Sequence, residues 1–269
     1  MKLNDKVIVI TGAANGIGKA LAYRFAREAP KKLVLADIDR DSLEAIASEL
    51  PMAEALACDI GCEEGVQHLV NSTLEQHGAI DLFCGNAGIL RLGGVNTSDA
   101  DFQKVWDINV QSHIWAARAA LPSMLERGSG YFLITASAAG LLTQLGSLSY
   151  SVSKHAALSI AEWLAVTHGH QGIKVSALCP QAVESNMTAG SDGSVAGIDG
   201  MLSAETVADC VVEGLDSEDF LILPHPNVKQ YFQNKANDYQ RWLGGMQKLQ
   251  RQFADLMPEN VIDGGQELK

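Results

Sequence analysis

Short runs of apolar, often β-branched residues alternate along this chain with longer stretches in which apolar residues return every three or four positions. Lys6–Ile10, Leu33–Ala36, Ala53–Ala57, Ile80–Cys84, Tyr131–Thr135, Lys174–Leu178 and Phe220–Leu223 read as strands. Helical patterns occupy the intervals near 16–28, 40–50, 63–77, 99–127, 150–169 and 204–214. Repeated strand–helix alternation predicts an α/β fold, a parallel sheet covered by helices on both faces and joined by right-handed crossovers. That is a doubly wound (Rossmann) sheet, read as one domain over residues 1–226.

Two segments break the rhythm. Thr188–Gly200 is rich in Gly, Ser and Asp and has neither period. Beyond the last strand, Asn227–Met257 is polar and aromatic, with Tyr231, Ala236, Tyr239, Trp242, Leu243, Met246, Leu249 and Phe253 at helical steps. That stripe reads as core or subunit packing rather than substrate contact, and 227–269 as a helical extension whose tail, from about Pro258, is frayed.

Composition narrows the class. A chain of 269 residues can bury a sizeable core, and its mixture of apolar and charged residues suits a soluble globular protein. A formal net charge of −12 argues against nucleic acid or an anionic membrane as partner. Val7–Ile10 is too short for a signal peptide and no apolar stretch is long enough to span a bilayer, so a cytoplasmic location is expected. Five cysteines without a Cys-x-x-Cys pair fit reduced thiols, and no metal site is expected.

Candidate chemistry begins at the first strand. It stops at Thr11-Gly12-Ala13-Ala14-Asn15-Gly16-Ile17-Gly18, and a helical pattern follows. Strand, glycine turn and helix make a cradle in which backbone N–H groups meet a pyrophosphate, and glycines permit its close approach. The spacing, Gly-x3-Gly-x-Gly, differs from the common dinucleotide fingerprint. Tyr150 and Lys154, four residues apart at the start of an apolar helix, share one face with Cβ atoms roughly 5–6 Å apart. An ammonium beside a phenol lowers the phenol's pKa from about 10, so such a pair can move the proton of an alcohol.

Thr11-Gly12-x3-Gly16-x-Gly18, Asn86-Ala87-Gly88, Asn109, Ser137 and Tyr150-x3-Lys154 together resemble the short-chain dehydrogenase/reductase family in order and approximate spacing, over about residues 5–225. The resemblance implies seven strands, a homo-oligomer (a tetramer) and a catalytic set of Asn109, Ser137, Tyr150 and Lys154. Tyr150 is then the acid or base, and Lys154 depresses its pKa and holds the nicotinamide ribose. Ser137 binds the substrate oxygen, and Asn109 interrupts its helix and holds a relay water. The segment 188–200 becomes a mobile lid over the substrate. Asp59 and Ile60 would meet adenine, Asn86, Ala87 and Gly88 would flank the cofactor, and Pro180, Val183 and Ser185 would hold the nicotinamide. Three positions depart from the family pattern: Gly85 replaces an Asn, Gln181 a Gly and Ser185 a Thr.

The cofactor reading is NAD. Asp37, at the end of the second strand, can accept from a ribose 2′-hydroxyl and repels a 2′-phosphate. Ile38 stands where phosphate readers often carry Arg, and Ala14 and Asn15 are not basic. Gly12, Asn15, Gly16, Ile17 and Gly18 supply the rest of the cradle. Asp39 is the better cap for the helix that follows. Leu90, Leu92, Leu141, Leu142, Leu145, Val183 and Met187 suggest a small, neutral, mostly apolar alcohol or ketone, although Arg91 leaves a carboxylate open. His155 falls off the Tyr150 face, and neither a zinc-protease helix nor a serine-hydrolase elbow is present. Reduction of a 3-oxoacyl thioester is a second reading, weakened by the acidic charge. A non-catalytic dinucleotide sensor is a third, weakened by retention of all four catalytic positions.

Overall fold

The computed structural model describes residues 1–189 and 197–254. Seven strands form one parallel sheet: β1 (Val7–Thr11), β2 (Lys32–Asp37), β3 (Ala53–Ala57), β4 (Leu82–Gly85), β5 (Gly130–Thr135), β6 (Ile173–Leu178) and β7 (Leu221–Ile222). Their spatial order is β3-β2-β1-β4-β5-β6-β7. The chain therefore leaves β1 toward one edge and returns at β4 toward the other. Adjacent loops at the carboxyl ends of β1 and β4 diverge there, which opens the crevice where ligands of such sheets bind.

Strand side chains alternate between two cores. Val9, Val34, Phe83, Phe132 and Ile134 face one of them, while Ile8, Ile10, Leu33, Leu35, Leu82 and Leu133 face the other. The first core is closed by α3 (Glu63–His77), α5 (Ser112–Arg127) and α7 (Leu148–His168) through Leu69, Ala116 and Ala157. The second is closed by α1 (Gly16–Ala26), α2 (Arg40–Glu49) and α8 (Ala204–Ser217) through Leu21, Leu43 and Val211. Asp39 caps α2, as its position predicts, accepting from the Ser42 N–H at 3.2 Å.

Three elements differ from the sequence expectation. The long helix expected over 99–127 is α4 (Asp99–Trp106), a π-helical turn over Asp107–Gln111, and α5. A short helix, α6 (Ser137–Leu141), follows β5, where the strand pattern alone predicts nothing. The C-terminal segment divides into α9 (Asn227–Asn237) and α10 (Tyr239–Gln252) because Asp238 leaves helical geometry and caps the second helix, accepting from the Arg241 N–H at 2.9 Å. The expected frayed tail lies outside the described residues, as does most of the expected lid. Among the described residues no helix is long and apolar enough to cross a membrane.

Candidate active site

A cleft of about 1680 Å³ runs along the carboxyl ends of the strands. A single small-molecule pocket commonly has roughly 300–1000 Å³, so this one has room for two ligands side by side. Its lining passes from Asp37, Ile38, Asp59 and Ile60, through Gly12, Asn15, Gly16 and Ile17, to Asn86, Ala87 and Gly88. It continues past Ser137, Tyr150, Lys154, Pro180, Val183 and Ser185. Two expected site residues stand behind this wall. Gly18 does not line the cleft: a Cβ there would lie 2.0 Å from the Gly12 carbonyl oxygen, so it is a packing glycine. Asn109 is fully buried.

The β1–α1 turn fits a pyrophosphate on two independent grounds. Gly12 and Gly16 hold positive φ angles of +66° and +50°, and a Cβ on either would strike Ala87 or Ser185 within 3 Å. The first turn of α1 has no side-chain cap and no acidic residue, so its N–H groups are available to an anion. The Asn15 side chain is turned elsewhere, accepting from the Asn186 N–H at 3.2 Å. At the far end, the Asp37 carboxylate is pinned by the N–H groups of Ala14 (3.0 Å) and Asp39 (3.1 Å). Asp59 accepts from Gly61 N–H at 2.8 Å. None of the lining residues contributed by the β1, β2 and β3 ends is Lys or Arg.

The two diverging loops are stitched together. The Thr11 hydroxyl accepts from the N–H groups of Asn86 (3.0 Å) and Ala87 (3.1 Å) and donates to the Cys84 carbonyl. The Asn86 amide donates back to the Thr11 carbonyl at 3.1 Å and accepts from the Thr135 hydroxyl at 3.3 Å, joining β1, β4 and β5.

Tyr150 and Lys154 lie in the first two turns of α7, which Ser147 caps by accepting from the Tyr150 N–H. The Lys154 ammonium, 2% exposed, donates to the Thr135 carbonyl at 2.8 Å and lies 5.5 Å from the centre of the Tyr150 ring. The expected lowering of the phenol by this ammonium is not found. Burial pushes Tyr150 above its ordinary value, and only the neighbouring Ser137 hydroxyl pulls the other way. The ammonium is turned to the Thr135 carbonyl, and burial lowers Lys154 itself to about 8.

Ser137 begins α6 with φ of +65°, a left-handed conformation that is costly for a residue with a Cβ. Its hydroxyl donates to the Pro180 carbonyl (3.3 Å) and accepts from the Ala139 N–H (3.2 Å). Asn109 sits in the π turn, as an interruption there predicts. Its side chain accepts from Ile89 N–H (2.9 Å) and donates to the Ile89 carbonyl (2.9 Å) and the Ser153 hydroxyl (3.0 Å). Gln181, in the family's glycine position, donates to Asp199 at 3.0 Å, and Asp199 also accepts from Asn227 and Tyr231. The Ser185 hydroxyl lies 3.2 Å from that of Thr188. Cys58 and Cys179, both raised by burial to about 11 and about 12, are unreactive thiols. No cluster able to hold a metal ion occurs among the described residues.

Two features were not anticipated. Part of the aromatic stripe expected to serve packing lines the cleft: Tyr231, Trp242, Met246 and Leu249 border it, and α10 buries none of its residues fully. Buried His113 fills the niche left by Gly85, where a Cβ would lie 2.5 Å from the imidazole Nδ1. Burial, aided by the nearby Lys154 charge, lowers His113 to about 3 and keeps it neutral. The departure at Gly85 was the available signal, because a missing side chain inside a packed fold must be replaced by a neighbour.

A family profile described as short chain dehydrogenase matches residues 6–194. The chain belongs to the short-chain dehydrogenase/reductase family. It is 36% identical over 250 residues to a 1-deoxy-11-beta-hydroxypentalenate dehydrogenase of Streptomyces exfoliatus, covering 90% of each chain. It is 34% identical over 193 residues to a meso-2,3-butanediol dehydrogenase of Serratia marcescens, covering 71% of this chain and 76% of that one. A short-chain dehydrogenase/reductase of Burkholderia phymatum, solved in complex with NAD, superposes with a TM-score of 0.81 at 28% identity, over 89% of this chain and 96% of that one.

Two measurements check the packing and the charge of the site. Gly85→Asn should destabilise the fold by about 1–3 kcal/mol through overpacking, and adding His113→Ala should recover part of it. Thermal melts of the two variants decide this; an unchanged melting temperature in Gly85→Asn would refute the filled niche. Lys154 falls from 10.5 unfolded to about 8 folded, so between these values the unfolded chain binds more protons and stability rises with pH. The contribution is at most about 3 kcal/mol. Urea unfolding of the wild type minus that of Lys154→Met, taken from pH 8 to 10, should climb; a flat difference contradicts the buried ammonium.

Proposed function

We propose that this chain is an NAD-dependent oxidoreductase that interconverts a secondary alcohol and a ketone, with Tyr150 as general acid and base. The carrying observation is that Tyr150, Lys154 and Ser137 line the same cleft as the uncapped N-terminus of α1 and Asp37. A bound nicotinamide dinucleotide would supply the hydride acceptor or donor. Gly12, Asn15, Gly16 and Ile17 suit its pyrophosphate, Asp37 and Ile38 its adenosine ribose, and Asp59 and Ile60 its adenine. Asn86, Ala87, Gly88, Lys154, Pro180, Val183 and Ser185 suit its nicotinamide half. Two relatives, a hydroxypentalenate and a butanediol dehydrogenase, support alcohol oxidation. The NAD-bound structural neighbour supports the cofactor class.

In this reading Tyr150 takes the hydroxyl proton on oxidation and returns it to the ketone oxygen on reduction. Ser137, steered by Pro180 and Ala139, donates to that oxygen as charge develops on it. Lys154, buried with a pKa of about 8, is placed to pass protons onward near neutral pH. The Asn109 side chain is used up on Ile89 and Ser153, which leaves its main-chain carbonyl in the π turn as the group to hold a relay water. Because burial holds the phenol protonated, the resting site is poised to give a proton, and oxidation should quicken as pH rises toward the phenol's raised pKa. The substrate half of the cleft, with Leu90, Leu142, Leu145 and Met187, suits a mostly apolar molecule.

Asp37 should favour NAD over NADP by on the order of 100-fold in kcat/KM, about 2.7 kcal/mol. Steady-state kinetics with both cofactors test it: equal efficiency would sink the NAD assignment, and Asp37→Ala should chiefly restore use of NADP. Tyr150→Phe should keep NADH binding, read by fluorescence, while kcat drops by about 10³-fold. Undiminished turnover in that variant would rule out Tyr150 as the proton donor.

A further inference from the structure

Lys235 is a buried charge that the proposed reaction does not use. It lies near the end of α9, only 8% exposed, and donates from its ammonium to the carbonyls of Leu141 and Leu142, both at 2.9 Å. No carboxylate pairs with it among the described residues, and burial lowers its pKa. Asp238, three residues on, caps α10 instead by accepting from the Arg241 N–H at 2.9 Å. Two aromatic rings complete the ammonium's surroundings, the centre of Trp242 at 4.8 Å and that of Tyr239 at 5.6 Å. Burying a charge without a counter-ion is costly, and what it gains here is those two carbonyls and the two rings.

The carbonyls close α6, the five-residue helix that begins at Ser137. A helix leaves its last carbonyls without partners of its own, and a cation satisfies them. α6 is gripped at three points. Its start is bonded to Pro180 and Ala139, and its middle abuts α7, where a Cβ on Gly140 would lie 2.6 Å from the Lys154 carbonyl oxygen. Lys235 holds its end, and this grip comes from outside the sheet and its covering helices. Val228, fully buried in the first core, seats the other end of α9. Packing holds α10 only lightly: it buries none of its residues fully, and a Cβ at Gly244 or Gly245 would meet nothing within 4 Å. Lys235 itself does not line the cleft, so whatever it does for the site passes through α6.

We propose that Lys235 is a positioning residue, which by holding the carbonyl end of α6 keeps the strained Ser137 hydroxyl aimed at the substrate oxygen. A helix of one turn has too few internal bonds to hold itself, and Ser137 at φ of +65° relaxes once its far end is released. The task given to Ser137 rests on the oxidoreductase reading. The clamp on α6 does not.

The test uses the full chain. Lys235→Met keeps the length of the side chain and removes its donors, Lys235→Arg keeps donors, and Ser137→Ala removes the hydroxyl. Amide hydrogen exchange reads the clamp without turnover. In Lys235→Met the amides of Ala138, Ala139 and Leu142 should exchange at least about tenfold faster, with those of Phe132–Ile134 unchanged. Lys235→Arg should stay near the wild type. At Ala139, whose N–H is bonded to the Ser137 hydroxyl, Lys235→Met should add nothing further once Ser137 is replaced by Ala. Unchanged exchange at the three amides overturns the clamp, and an equal acceleration of Ala139 with and without the hydroxyl overturns the positioning of Ser137. Turnover is read separately with NAD and 2-butanol, cyclohexanol and 1-indanol. On the best of them Lys235→Met should lower kcat by about tenfold, with NADH affinity unchanged and no further loss in the Ser137→Ala background. A chain that shows the exchange pattern yet oxidises none of the three keeps the clamp and loses the oxidoreductase reading; one that turns over without the pattern does the reverse.

Discussion

The contact between the first turn of the chain and the end of the fourth strand is the constraint from which the site follows. Thr11 spends its hydroxyl on two N–H groups and one carbonyl of the Cys84–Ala87 segment. Gly12 then passes Ala87 so closely that no side chain fits between them. This closure draws the N-terminus of α1 against the end of β4, and the Asn86 amide extends the tie to β5. With these loops fixed, a diffuse crevice at the strand ends becomes a channel that runs from the glycine turn before α1 to the buried Tyr150–Lys154 pair.

The end that holds Ser137, Tyr150 and Lys154 has a less comfortable geometry. Ser137 occupies a left-handed conformation that costs on the order of 1–3 kcal/mol. Several bonds oppose its relaxation: Ala138 N–H to the Pro180 carbonyl, Ala139 N–H to the Ser137 hydroxyl, and the Lys235 ammonium to the two carbonyls that close α6. The buried Lys154 is likewise held against its preference for water, through the Thr135 carbonyl one strand-end away. Strain and desolvation thus concentrate at Ser137 and Lys154, the residues proposed to serve the reaction, and the surrounding sheet bears them.

Much of this was legible in the residues because it is written in local patterns. Strands buried on both faces show as unbroken apolar runs, and a turn that tolerates no Cβ shows as glycines at set intervals. Tyr150 and Lys154 share a helix, so their spacing alone places them on one face. What escaped involved residues far apart in the chain. The sign of the Tyr150 shift depends on how deeply the phenol is buried and where the Lys154 ammonium turns, neither of which spacing encodes. His113 and Gly85 are complementary in shape across 28 positions. The stripe on α10 has the same helical period whether it faces a core or a cavity, and only the placement of Lys235 against α6 decides between them. The interruption at Asn109 was expected from the family resemblance alone, since the apolar period there reads as one continuous helix and one inserted residue shifts it too little to notice.

The glycine pair on α10 bears on how such a protein changes over generations. Thr11, Asn86 and Thr135 are locked into the sheet by mutual hydrogen bonds, so substitution there is felt across three strands. A Cβ added at Gly245 meets no atom of the described residues within 4 Å. A side chain added at that position enters the cleft without displacing a described neighbour. A single codon change there can therefore alter the shape of the cleft with little consequence for packing.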